Sequence, residues 1–68
     1  MKNISNNQAV DKLIFALDAA GLEEAISWID LLSGSVGMFK VGKELFTSVG
    51  PEIVDCIKQR NQRVFLDL

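Results

Sequence analysis

The sequence has no histidine and only one cysteine, Cys56. One thiol cannot close a disulfide within the chain, and without imidazole there is no Cys/His metal cluster. A catalytic thiol would want a histidine beside it. Cys56 lies among apolar residues of a predicted helix and reads as a small buried or half-buried hydrophobe. Basic residues are also few, seven Lys and Arg against nine Asp and Glu, giving a net charge of −2 and a pI of about 4.8. No basic stripe is present, so no nucleic-acid partner is expected. No apolar run approaches the roughly 20 residues that span a bilayer. The first seven residues are polar and have no apolar centre, so they do not form a signal peptide. No membrane partner is expected, and a reducing cytoplasm is the expected compartment. With 68 residues, the chain has room for at most one small domain. Such a domain buries only about 60% of the surface its unfolded form exposes. It usually needs a disulfide, a metal or a partner to compensate.

What is present is a regular alternation of strand and helix signals. Residues 1–11 open with asparagine, serine and glutamine and read as a flexible N-terminal arm. A predicted strand follows over Lys12–Leu17, and its apolar run does not alternate with polar residues. That pattern fits a strand buried on both faces, as in a parallel sheet covered by helices. Asp18 ends the strand, and Ala19-Ala20-Gly21 forms a short loop. Leu22, Ala25, Ile26, Ile29 and Leu32 then recur at helical spacing. Glu23 and Glu24 fall in the first turn of this helix, where the helix dipole favours negative charge. Trp28 reads as a packing residue at the helix margin. Ser33-Gly34-Ser35 stops the helix.

A second strand covers Val36–Val41 and ends at Gly42. Lys43–Val49 reads as a helical turn or short helix. Gly50-Pro51 then restarts a helix, with Pro51 suited to the first helical position. A third strand follows over Arg63–Leu68. The order is β-α-β-α-β. Asp18 and Lys40 are 22 positions apart, and Lys40 and Asp67 are 27 apart. Each step is one strand-plus-helix unit, near the roughly 30 residues per unit of a TIM barrel. An open doubly wound sheet has similar steps, so spacing alone does not choose between them. The absence of a Gly-rich phosphate fingerprint after the first strand counts against a dinucleotide-binding sheet.

In parallel α/β folds the active site lies at the carboxyl ends of the strands. All three strands here end at or near a charge: Asp18, Lys40 and Asp67. Burying such a residue unpaired is costly. Three in succession, with a lysine inside an otherwise apolar strand, point to a shared charged network that holds a polar substrate.

Ala16-Leu17-Asp18, Phe39-Lys40-Val41-Gly42-Lys43-Glu44-Leu45-Phe46 and Val64-Phe65-Leu66-Asp67-Leu68 together resemble the orotidine 5′-phosphate decarboxylase family, and Gly50-Pro51 adds to the likeness. The resemblance runs from about Leu13 to Leu68. It implies a TIM (β/α)8 barrel, of which residues 12–68 hold the first three strands only. It implies a homodimer that converts orotidine 5′-phosphate to uridine 5′-phosphate and carbon dioxide in de novo pyrimidine synthesis, with no metal and no cofactor. By match to the family motifs, Asp18 would bind the substrate ribose. Lys40 would contact the substrate within the charged network. Asp67 would open the Asp-x-Lys-x-x-Asp motif and lie beside the departing carboxylate. Catalytic roles thus fall to Lys40 and Asp67, and substrate binding to Asp18, Lys40 and Asp67.

Those roles are chemically coherent. Loss of carbon dioxide leaves a carbanion that needs a nearby cation and a proton donor. A carboxylate held against the substrate carboxylate disfavours the bound ground state by like-charge repulsion. The motif lysine that would supply the proton should follow Leu68 directly. The chain is therefore expected to be an N-terminal fragment, truncated after strand three, inactive alone and poorly soluble because strand three exposes a sheet edge. Two alternatives stand beside this reading. One is a fragment of another phosphosugar-processing barrel, such as 3-keto-gulonate-6-phosphate decarboxylase, although those relatives tend to carry an acidic residue where this chain has Lys40. The other is a non-catalytic α/β module that binds a partner through its sheet edge.

Overall fold

A computed structural model describes residues 10–68. Its elements run β1 (Ile14–Leu17), α1 (Leu22–Leu32), β2 (Met38–Gly42), α2 (Lys43–Val49), α3 (Glu52–Gln59) and β3 (Arg63–Asp67). Most of the expected arm, residues 1–9, lies outside the described residues. Its last two residues, Val10 and Asp11, belong to a helical turn over 10–12. β1 accordingly starts at Ile14, two residues later than the expected start at Lys12, because Lys12 is taken up by that turn.

The three strands form one parallel sheet in the order β1-β2-β3. Crossovers between parallel strands are right-handed almost without exception, so an unbroken strand order puts every crossover helix on the same side. The burial pattern agrees. Leu17, Phe39 and Val41 from the sheet meet Ala25 and Ile29 of α1, Leu45 of α2, and Ile53 and Ile57 of α3 in a single core. Val36, in the link before β2, completes it. Phe15, half-buried, stacks on the margin, 5.8 Å from the Trp28 ring and 6.1 Å edge-on to Phe39. Trp28 thus sits at the helix margin, as its place in the helical pattern predicts.

Among the described residues no helix covers the opposite face of the sheet. Register aligns Ile14 with Met38 and Arg63, and Ala16 with Lys40 and Phe65. Alternation along a strand places these residues on one face. Ile14 is 58% exposed and Phe65 47%. Burial of β1 on both faces is therefore not what the described residues show. An unbroken apolar run looks the same whether its second face is covered by this chain or by something else.

Helix boundaries follow local chemistry. α1 ends where the Ser33 N–H and hydroxyl both donate to the Ile29 carbonyl, at 2.8 and 2.6 Å. α2 ends at Gly50, whose φ of 89° lies in the left-handed region that glycine enters without steric cost. Pro51 follows as the N-cap of α3, one residue before the first helical position, where its missing N–H and fixed φ do no harm.

The amino-terminal end of the sheet is latched by side chains. The Gln62 amide accepts from the Gly34 N–H at 2.8 Å and donates to the Val36 carbonyl at 3.2 Å. The Arg63 guanidinium donates to the carbonyls of Gly37 and Asp11 at 3.1 and 2.9 Å. These bonds tie β3, the β2 approach and the 10–12 turn into one end of the molecule. On the helical side, Arg60 pairs with Asp30 and joins the end of α3 to α1. The hydrogen bond to Asp30 raises the Arg60 pKa above its ordinary value.

Candidate active site

The carboxyl end of the sheet is open where the other end is latched. Three strand termini converge there. β1 delivers Asp18 one residue past its end, β2 carries Lys40 two residues before its end, and β3 ends on Asp67. In the β2–β3 register, Lys40 aligns with Phe65 and Asp67 with Gly42. Lys40 and Asp67 are thus diagonal neighbours on one face, within reach of long side chains. Gly42, opposite Asp67, has no side chain to separate them, and the Lys40 ammonium lies 3.1 Å from an Asp67 carboxylate oxygen.

Asp18, Lys40 and Asp67 all line one open cleft of about 950 Å³. The gathering of charges expected from the strand ends is therefore present in the fold. Both partners of the ion pair remain substantially exposed, at 40% and 56%. Water screens such a pair, and its own contribution to stability is at most about 1 kcal/mol. The pair is better understood as placing two opposite charges at a defined separation than as holding the fold together.

The cleft also holds residues that the motif reading left without a role: Glu24 from the first turn of α1, and Lys43, Glu44 and Ser48 from α2. Among its lining residues are four carboxylates and two ammonium groups. A signal for Lys43 and Glu44 was available, because they directly follow Gly42 and open the helix leaving the site. Glu24 had only the weaker signal of an acidic residue in a first helical turn.

Parallel strands in unbroken order, helices on one face and opposite charges at the carboxyl ends make a β-α-β-α-β unit of an α/β protein with a polar cleft at the strand ends. The chain belongs to the Orotidine 5′-phosphate decarboxylase / HUMPS family, which it matches over residues 11–68. The family fold is the TIM barrel, and this β-α-β-α-β unit corresponds to its N-terminal part. Among its relatives, the orotidine 5′-phosphate decarboxylase of Syntrophus aciditrophicus is 53% identical over 98% of this chain and 27% of its own length. Those of Trichlorobacter lovleyi and Geobacter sulfurreducens are 51% and 48% identical, each over 96% of this chain and 27% of their own length. The chain thus spans about a quarter of the length of these relatives. Their names do not favour the keto-gulonate phosphate alternative, and the family match does not favour a non-catalytic module. No solved structure matches the chain. Among the described residues no helix is long and apolar enough to cross a membrane.

Proposed function

We propose that this chain supplies the ribose- and carboxylate-facing part of an orotidine 5′-phosphate decarboxylase active site. The observation that carries the proposal is the Lys40–Asp67 pair at 3.1 Å in the cleft that Asp18 also lines. Family membership supports the choice of reaction.

In this reading Asp18 accepts hydrogen bonds from the ribose hydroxyls of orotidine 5′-phosphate. Asp67 lies against the substrate carboxylate and disfavours the bound ground state through like-charge repulsion. Lys40 holds the Asp67 carboxylate in place through the ion pair, and contacts the substrate. The bond from the pyrimidine ring to the carboxylate breaks, its electron pair stays on the ring carbon, and carbon dioxide leaves. That carbon then takes a proton from the motif lysine, a group outside the 68 residues. A cation held near the developing carbanion stabilises it in a site screened from water. The full protein is proposed to work in the cytoplasm as a homodimer, in the synthesis of uridine 5′-phosphate for the pyrimidine pool.

The test is a chimera that joins residues 1–68 of this chain to the remainder of the Syntrophus aciditrophicus enzyme. It is expected to convert orotidine 5′-phosphate to uridine 5′-phosphate with release of carbon dioxide. The Asp67→Ala chimera and the 68-residue chain alone are expected to show no turnover. A folded chimera without activity, or an Asp67→Ala chimera with full activity, would overturn the assignment.

A further inference from the structure

Asp18 lies beyond the end of β1, in the linker Asp18-Ala19-Ala20-Gly21, so the strand ladder does not hold it directly. Something must set the path of this linker if the Asp18 carboxylate is to meet a ligand in one orientation. Two anchors are ordinary packing and helix geometry: Ala19 rests against the core, and the Gly21 carbonyl accepts from the Ala25 N–H at 3.0 Å. The third is a side chain. A Glu24 carboxylate oxygen accepts from the Ala20 N–H at 3.2 Å. Among the described residues this is the one side-chain hydrogen bond to the linker.

Its position has a local cause. α1 begins at Gly21, which has no side chain to cap the helix. Ser, Thr, Asp or Asn at that position would turn a side-chain oxygen onto the first turn. Here Glu24, three residues after the cap, reaches backward as the acidic half of a capping box does, but to the residue before the cap. A carboxylate accepting a backbone N–H is a charge-assisted bond, stronger than a neutral one. Glu24 also lines the cleft that contains Asp18.

We infer that Glu24 is a positioning residue for substrate binding. It fixes the linker through the Ala20 amide and so aims the Asp18 carboxylate at the ribose of the nucleotide. This rests on the function proposed above. In the chimera, Glu24→Ala is expected to raise KM for orotidine 5′-phosphate about tenfold, the equivalent of one such hydrogen bond, with kcat changed less than about twofold. Glu24→Gln keeps an acceptor oxygen and is expected to recover most of the loss. In an Asp18→Ala background, Glu24→Ala is expected to add nothing, because its effect runs through Asp18. An unchanged KM in Glu24→Ala, or a full additional loss in the Asp18→Ala background, would overturn the inference. Amide hydrogen exchange supplies a readout independent of turnover. The Ala20 N–H of the chimera should exchange about tenfold faster in Glu24→Ala and near the parent rate in Glu24→Gln. A parent chimera without turnover would sink the proposed reaction, while unchanged Ala20 exchange in Glu24→Ala would sink the role of Glu24.

Discussion

At the scale of the residue, Lys40 decides most. It is the one charge within β2, between buried Phe39 and buried Val41. Strand alternation sends it to the face opposite the core, where Asp67 meets it across the register diagonal. In the 68-residue chain, where the pair is exposed, Lys40→Met should change the free energy of unfolding by less than about 1 kcal/mol. Its effect on turnover in the chimera should be far larger, a loss on the order of 10²–10³, as for removal of one group that stabilises charge in a transition state. Denaturant unfolding of the 68-residue chain and steady-state kinetics of the chimera would separate the two effects. A stability loss of several kcal/mol would identify Lys40 as structural. Asp18, Lys40 and Asp67 were legible in the sequence because a charge at the end of an apolar run stands out. Glu24 was not, because an acidic residue in a first helical turn is explained by the helix dipole alone. Its bond to Ala20 appears only once the linker has a path.

At the scale of the element, the order of strands and helices was legible almost throughout. Leu22–Leu32 and Lys43–Val49 run as the apolar spacing and the Gly50-Pro51 break imply. The start of β1 was not, because Lys12 and Leu13 suit a strand or a turn equally by composition. Long-range contacts settle it. The Leu13 carbonyl accepts from the N–H groups of Gly37 and Met38, and Arg63 reaches across to the Asp11 carbonyl. Gly37 is the tightest point of this junction. A Cβ placed there would lie 2.4 Å from the Asp11 carbonyl oxygen, a backbone atom that cannot swing aside. Gly37→Ala should therefore displace the 10–12 turn and destabilise the chimera by about 1–3 kcal/mol, the usual cost of overpacking. Thermal unfolding monitored by circular dichroism would read it, and an unchanged midpoint would mean that the turn moves freely. By contrast, an added Cβ at Gly42 would meet nothing within 4 Å, so the same change there carries no such packing cost.

At the scale of the molecule, the described residues give the sheet one finished face and one bare face. Helices and nine buried residues close the first. The second presents Ile14, Ala16 and Phe65 to water. The apolar run of β1 signalled that both faces want cover, but a sequence pattern does not say which part of a protein provides it. For the 68-residue chain alone, this face is expected to bind an apolar dye such as ANS and to drive self-association visible by sedimentation velocity. Phe65→Lys should reduce both. A monomer that binds no dye and unfolds in one sharp transition would contradict the expectation.

The parallel ladder also has a consequence in time. Ile14 pairs with Met38, 24 residues on, and Met38 with Arg63, 25 residues further. Every pairing closes after a single crossover, and loop-closure entropy rises only slowly with such lengths. Parallel pairing is slower than local helix formation, but synthesis at about 5–20 residues per second leaves on the order of seconds between the arrival of β2 and that of β3. A ribosome delivers the strands in the order in which they pair, so β2 can dock on β1 before β3 has been made. Lys40 is then in place first, an ammonium group waiting in water, and Asp67 comes to it with the last strand of this sheet.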